Sequence, residues 1–583
     1  MSRLANLFRS LFGSSSAGDP THPGTSATLN GNDAVAITEA AISQVTALGG
    51  PAQDQTLMLA WEAAAKEQHG LNLLGEPLGV VGTPGARGAL AAAMGATLGG
   101  ARSTAFLLGD DLAGVQDLLT SAVEQGLPLV IHVSCTGEHN GIHGASDSGI
   151  VQFFATNVQE AVDQTLLARK VAETCLCPVM VCIDGLETAD SIQDTKLPGA
   201  ELIRQYLGMA TDELPAPTPA QRMLFGESRR RVPKWFDLER PLLTNPRQAP
   251  HIAALGRVGR RPFFAGHILP IIEETQAALS QHTGRPLELI PRHGPQEAKV
   301  VIVALGSAAE AAKSVVSGGS TAAVTISTLR PFPTTKLIAA LSGSERVIVL
   351  QRADAPLAPE APLVREIRAA IGQALENGQF GKDTHPGIPS WSKSPRLHVG
   401  AYGLGGTTLR PADLRGYVGE CTANGRSLAY LGLASQQKSS FPKRQALIDQ
   451  LNREYPEAAK LGLHQPALPL TDSTVIAVYR QPGKNESLIG EIAHLLYGVW
   501  EQPIRCRLAI ELGSHVIDLL AMSASNPLTP DCEVKPDLAI ATGHFGKVIP
   551  ECLKARLGVI VEDSDDLVSL TTSAKIPTYV SDN

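Results

Sequence analysis

The chain has 583 residues, 43% of them hydrophobic, and a formal net charge of −8 at pH 7. This length predicts three or four domains, each large enough to bury its own core. The negative charge argues against a nucleic-acid partner, which would need a concentrated basic surface. No apolar run approaches the roughly 18 residues of a membrane-spanning helix, so we expect a cytoplasmic protein.

The cysteines exclude one class of cofactor from this chain. There are eight, and no two are spaced as Cys-x2-Cys. Ferredoxin-type iron–sulfur clusters need such closely spaced thiolates, so the chain alone is predicted to carry no cluster. Buried structural thiols are the better interpretation of these cysteines.

The N-terminus has an amphipathic pattern. Residues 1–12 place five apolar side chains on one helical face: Leu4, Leu7, Phe8, Leu11 and Phe12. A helix this short is marginal in water and needs a surface to lie on. A partner groove, an anionic membrane surface and the body of the protein itself are the three alternatives. Residues 13–28 are rich in Gly, Ser and Pro and are predicted to form a flexible tether.

Residues 77–185 carry the clearest periodicity. Apolar strands are predicted at three places and helices between them, in the order helix 85–99, strand 103–108, helix 113–125, strand 128–134, helix 158–173 and strand 178–184. Strands that alternate with helices of 3.6-residue period predict βαβ units. We therefore expect a parallel sheet that is covered by helices on both faces.

A polar loop follows the strand at 128–134. It contains Glu138, His139, His143 and Asp147, and its two histidines are four residues apart. A metal site is conceivable, but His-x3-His pairs bind metal mainly on a helix face. Because the segment is Gly-rich, we interpret it as a solvated loop and predict no metal. His132 lies inside the strand and is predicted to be a core histidine with a hydrogen-bond partner.

The pattern breaks into Pro-rich and charged pieces between residues 190 and 250. Arg229, Arg230 and Arg231 form a basic run there. Anion binding is one interpretation of the run. The favoured one is an exposed linker or interface segment.

Three segments carry a family resemblance. GARGALAAAMGATLGGARSTAF, LPLVIHVS and FATNVQEAVDQTLLARKV resemble the first domain of the pyruvate:ferredoxin (flavodoxin) oxidoreductases, within the wider 2-oxoacid:acceptor oxidoreductase family. KVVIVALGSAAEAAKSV and LRPFP resemble that family's second domain, and TVIAVYRQPGKNESLIGEIAHLLYG resembles its γ-type domain. The resemblance implies a fused α-type subunit of the α/β class, built from several parallel-sheet αβα domains.

The resemblance also divides the chain. After the N-terminal helix and tether at 1–28, it implies a thiamine-enzyme pyrimidine-type domain at 29–240 and a linker at 241–297. A transketolase C-terminal-like domain at 298–393 and a γ-type domain at 394–583 complete the expected order.

Three positions that carry chemistry in the family are substituted here. The Thr that contacts substrate, the Glu beside the aminopyrimidine ring and the Arg that binds the substrate carboxylate fall on Ala52, Ala86 and Thr136. A thiamine enzyme needs the carboxyl group for proton exchange with its cofactor. A hydroxyl cannot replace a bidentate guanidinium. We therefore predict that this half of the thiamine pocket is degenerate and that the chain alone binds no cofactor.

Two functions follow from the resemblance. The preferred one is an α-type subunit with a scaffold or docking role, or with an altered reaction. The alternative is a competent α subunit that oxidises a 2-oxoacid such as pyruvate or 2-oxoglutarate. In either case thiamine diphosphate, Mg and iron–sulfur clusters are expected on a partner, which is a thiamine/iron–sulfur β-type subunit or another electron-transfer protein.

The family's twofold arrangement implies a homo- or hetero-oligomer. Peripheral association with a membrane through residues 1–12 is the remaining option for location.

Overall fold

The computed structural model describes residues 21–49, 61, 64–66, 69–191, 193–235, 249–316, 320–406, 408–423, 425–433 and 442–465, and six strands between 475 and 581. The predicted amphipathic segment 1–12 and Ala52 lie outside these residues. Within the described chain, the larger sheets contain seven, seven and six strands. No helix in this part of the chain combines the length and the apolar character that crossing a bilayer requires.

The first region alternates strands and helices. In chain order its elements are β1 (Thr25–Leu29), α1 (Gly31–Ile42), β2 (Val45–Gly49), β3 (Gly79–Thr83), α2 (Ala86–Leu98), β4 (Ser103–Leu108), α3 (Gln116–Glu124), β5 (Val130–Cys135), α4 (Asn140–Ala145), β6 (Val151–Phe154), α5 (Val158–Cys175), β7 (Val179–Asp184), β8 (Gln193–Leu197), α6 (Ala200–Tyr206), β9 (Glu213–Pro215), α7 (Pro219–Phe225) and β10 (Ser228–Arg230).

Two helices lead into the second region. Its elements are α8 (Pro250–Arg260), α9 (Gly266–Thr283), β11 (Arg292–His293), β12 (Val300–Ala304), α10 (Ala308–Val315), β13 (Thr321–Thr325), β14 (Thr328–Arg330), α11 (Thr334–Ala340), β15 (Arg346–Gln351), α12 (Pro362–Phe380), β16 (Arg396–Ala401), α13 (Pro411–Thr422), β17 (Leu428–Leu431), α14 (Pro442–Glu454), α15 (Pro456–Ala459) and β18 (Gly462–Leu463).

The last described part consists of strands. They are β19 (Val475–Arg480), β20 (Arg505–Leu512), β21 (His515–Ala521), β22 (Leu538–Thr542), β23 (Leu557–Val561) and β24 (Thr578–Ser581). They form one sheet in the order β21-β20-β19-β22-β23-β24. All neighbours are parallel except the pair β20 and β21.

The first sheet has the order β14-β6-β7-β5-β4-β2-β3. Its neighbours from β3 to β6 are all parallel, which confirms the predicted α/β architecture. Its long helix α5 begins where the Asn157 side chain accepts a hydrogen bond from the Glu160 N–H at 2.9 Å. The helix ends at Leu176, whose left-handed φ of 52° stops further helical bonding.

Residues 21–28 differ from the predicted flexible tether. β1 pairs antiparallel with β8, from Thr25 opposite Leu197 to Leu29 opposite Gln193. The His22 N–H donates to the His282 carbonyl at 2.9 Å, at the end of α9. The segment is held in place because a strand partner and a helix end satisfy its backbone.

The second sheet extends further than expected. Its order is β11-β13-β12-β15-β16-β17-β18. The strands β16, β17 and β18 follow the expected domain boundary at residue 394, yet they continue this sheet by parallel pairing onto β15. The ladder hydrogen bonds place residues up to 463 in the second sheet, and the domain boundary at 394 stays a prediction.

The two seven-stranded sheets share packing. β14 belongs to the second region in sequence but pairs antiparallel with β6 of the first sheet. One hydrophobic cluster joins side chains from both regions, among them Val133, Phe154, Leu305, Leu329 and Val349. This shared core fixes the second region against the first.

Candidate functional site

Parallel α/β sheets place their ligands at the carboxyl ends of the strands. In the first sheet, β3, β4, β5 and β7 run in the same direction, so their carboxyl ends lie on one edge. Ala86 opens α2 just after β3, and Thr136 follows the last residue of β5. The structure therefore places these two substituted positions on the edge where a site is expected.

The segment after β5 is not the irregular loop that the sequence predicted. Residues 140–145 form the short helix α4, and His139 is its N-cap residue. α4 packs against the 3-10 turn Gly109–Val115 that follows β4. A Cβ added at Gly141 would overlap the Gly109 carbonyl, which explains how a Gly-rich sequence can form a helix here. Tertiary packing overrides the low helix propensity of glycine.

His139 is the centre of a buried polar contact. Its Nε2 lies 2.6 Å from Asp184 Oδ1, at the end of β7, and both side chains are buried. The Asp184 Oδ2 atom accepts a hydrogen bond from the Ser307 N–H at 2.7 Å. The His139 N–H in turn donates to the Arg352 carbonyl at 2.8 Å. This contact joins the edge of the first sheet to the second region.

Arg352 completes the cluster. Its Nη1 lies 3.2 Å from Asp184 Oδ1 and 2.9 Å from Glu187 Oε2. Burial by itself would raise the pKa of Asp184, but His139, Arg352 and the Ser307 N–H outweigh it and hold that pKa well below its usual range. The carboxylate is therefore ionised and paired.

Glu187 behaves in the opposite way. Burial raises its pKa to about 7, Arg352 opposes that rise and the charge of Asp184 adds to it. Its Oε1 atom has no partner, and neither do Nε and Nη2 of Arg352. One guanidinium thus faces two carboxyl groups, and only Asp184 is fully paired.

The four polar residues predicted after β5 are not brought together. Glu138 Oε2 accepts a hydrogen bond from Asn140 Nδ2 at 2.7 Å, and Asp147 is exposed. His143 Nε2 contacts Gln351 Nε2 at 3.2 Å, so one of the two histidines faces the second region. Burial, aided by nearby cationic side chains, lowers the pKa of His143 to about 3. Among the described residues, no group of three or more His, Cys, Asp or Glu could hold a metal ion.

His132 is the core histidine that the sequence predicted. Its Nε2 lies 2.8 Å from Glu39 Oε1, and the same carboxylate is 3.1 Å from Arg169 Nη2. Burial disfavours the charge on Glu39, but Arg169, His132 and Ser43 together lower its pKa to about 2. This cluster is a closed structural element of the first sheet.

The basic run is only partly what the sequence suggested. Arg229 is buried, and its Nη2 donates to the carbonyls of Glu173 and Thr174 at 2.6 and 3.1 Å. It therefore caps the last turn of α5 and is not an exposed linker residue. Sequence reasoning missed this role because the cap forms across 55 residues of chain.

Sequence reasoning also missed Asp184, Glu187 and Arg352. Only Asp184 carried a usable signal, since it ends a predicted apolar strand. The other two reach the cluster through the packing of the two regions. A single sequence gives no hint of that packing.

The two predicted positions at this edge, Ala86 and Thr136, offer small uncharged side chains. The first turn of α2 offers the methyl group of Ala86, and the next side chain, Arg87, is paired with Asp117 at 2.6 Å. The residue after β5 offers the hydroxyl of Thr136 where a guanidinium would bind a carboxylate. α2 contains no carboxyl group that could exchange a proton with thiamine diphosphate.

The parallel strands of the first sheet define an α/β domain whose candidate site lies at the carboxyl edge. Residues 80–251 match the family model described as pyruvate flavodoxin/ferredoxin oxidoreductase, thiamine-diphosphate-binding. Residues 298–382 match pyruvate:ferredoxin oxidoreductase core domain II. The chain belongs to the pyruvate:ferredoxin (flavodoxin) oxidoreductase family, and its organisation fits the fused α-type form.

Similar proteins come from several bacteria. Pyruvate synthase subunit PorA of Thermotoga maritima is 27% identical over 367 residues, which cover 59% of this chain and 83% of that protein. Pyruvate-flavodoxin oxidoreductase of Nostoc is 25% identical over 408 residues, covering 67% of this chain and 32% of that protein. This chain thus matches about a third of the long relative.

One solved structure with a similar fold is the 2-oxoglutarate:ferredoxin oxidoreductase of Magnetococcus marinus with 2-oxoglutarate, coenzyme A and succinyl-CoA bound. The match has 16% identity and a TM-score of 0.46, and it covers 68% of this chain and 65% of that one.

Proposed function

We propose that this chain is an α-type subunit of a 2-oxoacid:ferredoxin oxidoreductase-like complex whose own half of the thiamine pocket is degenerate. It acts as a scaffold or docking subunit, or serves an altered reaction. A partner chain carries thiamine diphosphate, Mg and iron–sulfur clusters.

One observation supports this proposal above the others. The segment after β5, where Thr136 replaces the family's anchoring Arg, is fixed by the buried contact between His139 and Asp184 at 2.6 Å. Asp184 is held in turn by Arg352. Side chains that a substrate-binding edge would turn toward a ligand are here used to join two regions of the protein.

The alternative is a competent α subunit that oxidises pyruvate or 2-oxoglutarate together with a β subunit. The comparisons favour it, because relatives named pyruvate synthase subunit PorA and pyruvate-flavodoxin oxidoreductase match 59% and 67% of this chain. The two functions differ in whether oxidation of the 2-oxoacid by the complex requires this chain.

The test is dye reduction by the complex purified from its source. With thiamine diphosphate, Mg²⁺ and pyruvate or 2-oxoglutarate, with and without coenzyme A, we expect no viologen reduction that depends on this chain. Reduction that appears only when the chain is present would establish the alternative.

A gain-of-function variant sharpens the test. The double substitution Ala86→Glu with Thr136→Arg returns the carboxyl and the guanidinium, and we expect it to increase the affinity of the complex for thiamine diphosphate or its turnover at least tenfold. Ala91→Glu is the control for the added carboxylate, because it introduces the same side chain as Ala86→Glu on the exposed side of α2. Equal effects of the double variant and the control would argue against the assignment of the two positions.

A further inference from the structure

Helix α8 has no buried residue. Its exposed apolar side chains are Ile252, Leu255 and Val258, and the π-helical turn Arg261–Ala265 adds Phe263. Leu255 is 72% and Val258 74% exposed, which is unusual for large aliphatic side chains. We call these four side chains the α8 face.

The α8 face is one continuous strip. At about 100° per residue, Ile252, Leu255 and Val258 fall within about 120° of the helix circumference. The neighbouring helix α7, which contacts the π-helical turn, adds Met223 and Leu224, with exposures of 84% and 55%. Apolar strips of this kind normally pack against another surface.

The helix has little stability of its own. It is 11 residues long, and a helix of that length is marginal in water. Its sequence contains Gly256 and Gly259 in the interior, each of which costs about 1 kcal/mol relative to alanine. No side chain caps its N-terminus. Burial of the apolar strip by another molecule would supply the missing stabilisation.

The charges beside the strip identify the kind of partner. At about 100° per residue, the exposed Arg261 lies about 60° from Val258 and so borders the strip. Arg257 lies about 160° from Leu255, on the opposite side of the helix, 3.8 Å from Glu124 of the same chain. Residues 249–272 contain no Asp or Glu. We infer that the α8 face is a docking surface for a partner protein that presents an apolar patch bordered by carboxylates.

A second copy of this chain fits the surface less well. A twofold contact places the same patch on both sides, so the arginines would face arginines. Glu124 of each copy already lies 3.8 Å from Arg257 of the same copy. Like charges across an interface oppose association.

An anionic membrane also presents an apolar surface beside negative charges. Membrane interfaces, however, are enriched in Trp and Tyr, and residues 249–272 contain neither. The family also includes a relative named as a subunit, so a protein partner is the better match. In this respect the inference rests on the proposed function.

The first test weakens the apolar strip in the purified complex. Leu255→Ser with Val258→Ser should weaken partner binding about tenfold or more, measured by native mass spectrometry over a dilution series. Leu357→Ser with Leu447→Ser is the matched control, since those side chains are 102% and 66% exposed elsewhere. Both variants should keep the wild-type thermal unfolding midpoint. Partner binding that is unchanged in the first variant would overturn the inference.

The second test detects the carboxylates directly. Carbodiimide couples amines to carboxylates, so Arg261→Lys should cross-link to an Asp or Glu of the partner chain, identified by mass spectrometry. The exposed native Lys382 is the control and should give no such product. Cross-links only to a second copy of this chain, or to residues of the same copy, would overturn the inference.

Membranes provide the last arm. Co-sedimentation with vesicles of phosphatidylcholine and phosphatidylglycerol that is lost in the Leu255 and Val258 variant would assign the face to lipid and overturn the inference. Partner binding is measured by native mass spectrometry and does not depend on turnover. An active complex would therefore refute the degenerate pocket without affecting the test of the α8 face. A chain that purifies alone and stays monomeric would refute the docking surface without deciding the dye assay.

Discussion

Two buried ionic groups lie at opposite ends of the first sheet, and they differ in how many of their polar atoms have hydrogen-bond partners. At the amino end of β4, Arg102 forms a bidentate pair with Glu173 at 2.6 and 2.9 Å, and both side chains are 0% exposed. At the carboxyl end of β7, Asp184 and Glu187 share one guanidinium, from Arg352.

The difference distinguishes a purely structural ion pair from a cluster at the candidate site. The Arg102 pair lies within the first region, and the remaining Arg102 donors reach backbone carbonyls, including Gly208 at 3.0 Å. The Arg352 cluster joins two regions and leaves Glu187 Oε1 and two guanidinium nitrogens without partners. Unsatisfied buried polar atoms cost stability, so they tend to persist where packing between regions, or function, requires them.

The largest expected effect comes from breaking the satisfied pair. Glu173→Ala leaves the Arg102 charge buried and unpaired, so the first region should lose about 3 to 5 kcal/mol of unfolding free energy. Urea unfolding followed by hydrogen exchange in β4 and α5 measures the loss. Asp117→Ala removes the exposed pair with Arg87 and is the control, with no measurable change expected. A loss as small as that of the control would mean that the buried Arg102 pair contributes no more than an exposed pair.

A smaller effect should depend on pH. The folded pKa of Glu187 is raised to about 7, above its unfolded value of about 4.3. The stability that it contributes is therefore complete below about pH 4.3 and is lost as the pH rises through 7. Glu187→Gln should reduce this decline by up to about 3 kcal/mol, as judged from urea midpoints at pH 5 and pH 8.

Glu138→Gln is the control for the pH experiment, because that carboxylate pairs with Asn140 alone. If the stability of the Glu187→Gln variant falls with pH as much as that of the wild-type protein, another group is responsible for the decline.

The smallest effect concerns a second contact between the regions. Asn157 caps α5, and its Nδ2 also donates to Glu310 Oε1 at 3.0 Å. Asn157→Ala should cost about 1 kcal/mol, mostly from the lost cap. Asn157→Ser restores the cap without the Glu310 contact, so the difference between the two variants in thermal unfolding isolates the cap. If both variants lose the same stability, the contact with Glu310 contributes more than the cap.

The sequence alone determined the architecture of the first sheet. The alternation of apolar strands with helices fixed the parallel sheet, and the small-residue helix that begins at residue 86 appears as predicted, because both depend on local periodicity. Ala86 and Thr136 can be read directly from the sequence, and their correspondence to the family's catalytic positions stays a prediction.

Only the tertiary structure decided what occupies the edge of the sheet. The helix at residues 140–145 forms against the turn after β4, and Arg352 reaches Asp184 from 168 residues away. Strand pairing likewise carried the second sheet past residue 394. Such contacts depend on which surfaces meet after the sheets have formed, and the pattern within one segment carries no information about that.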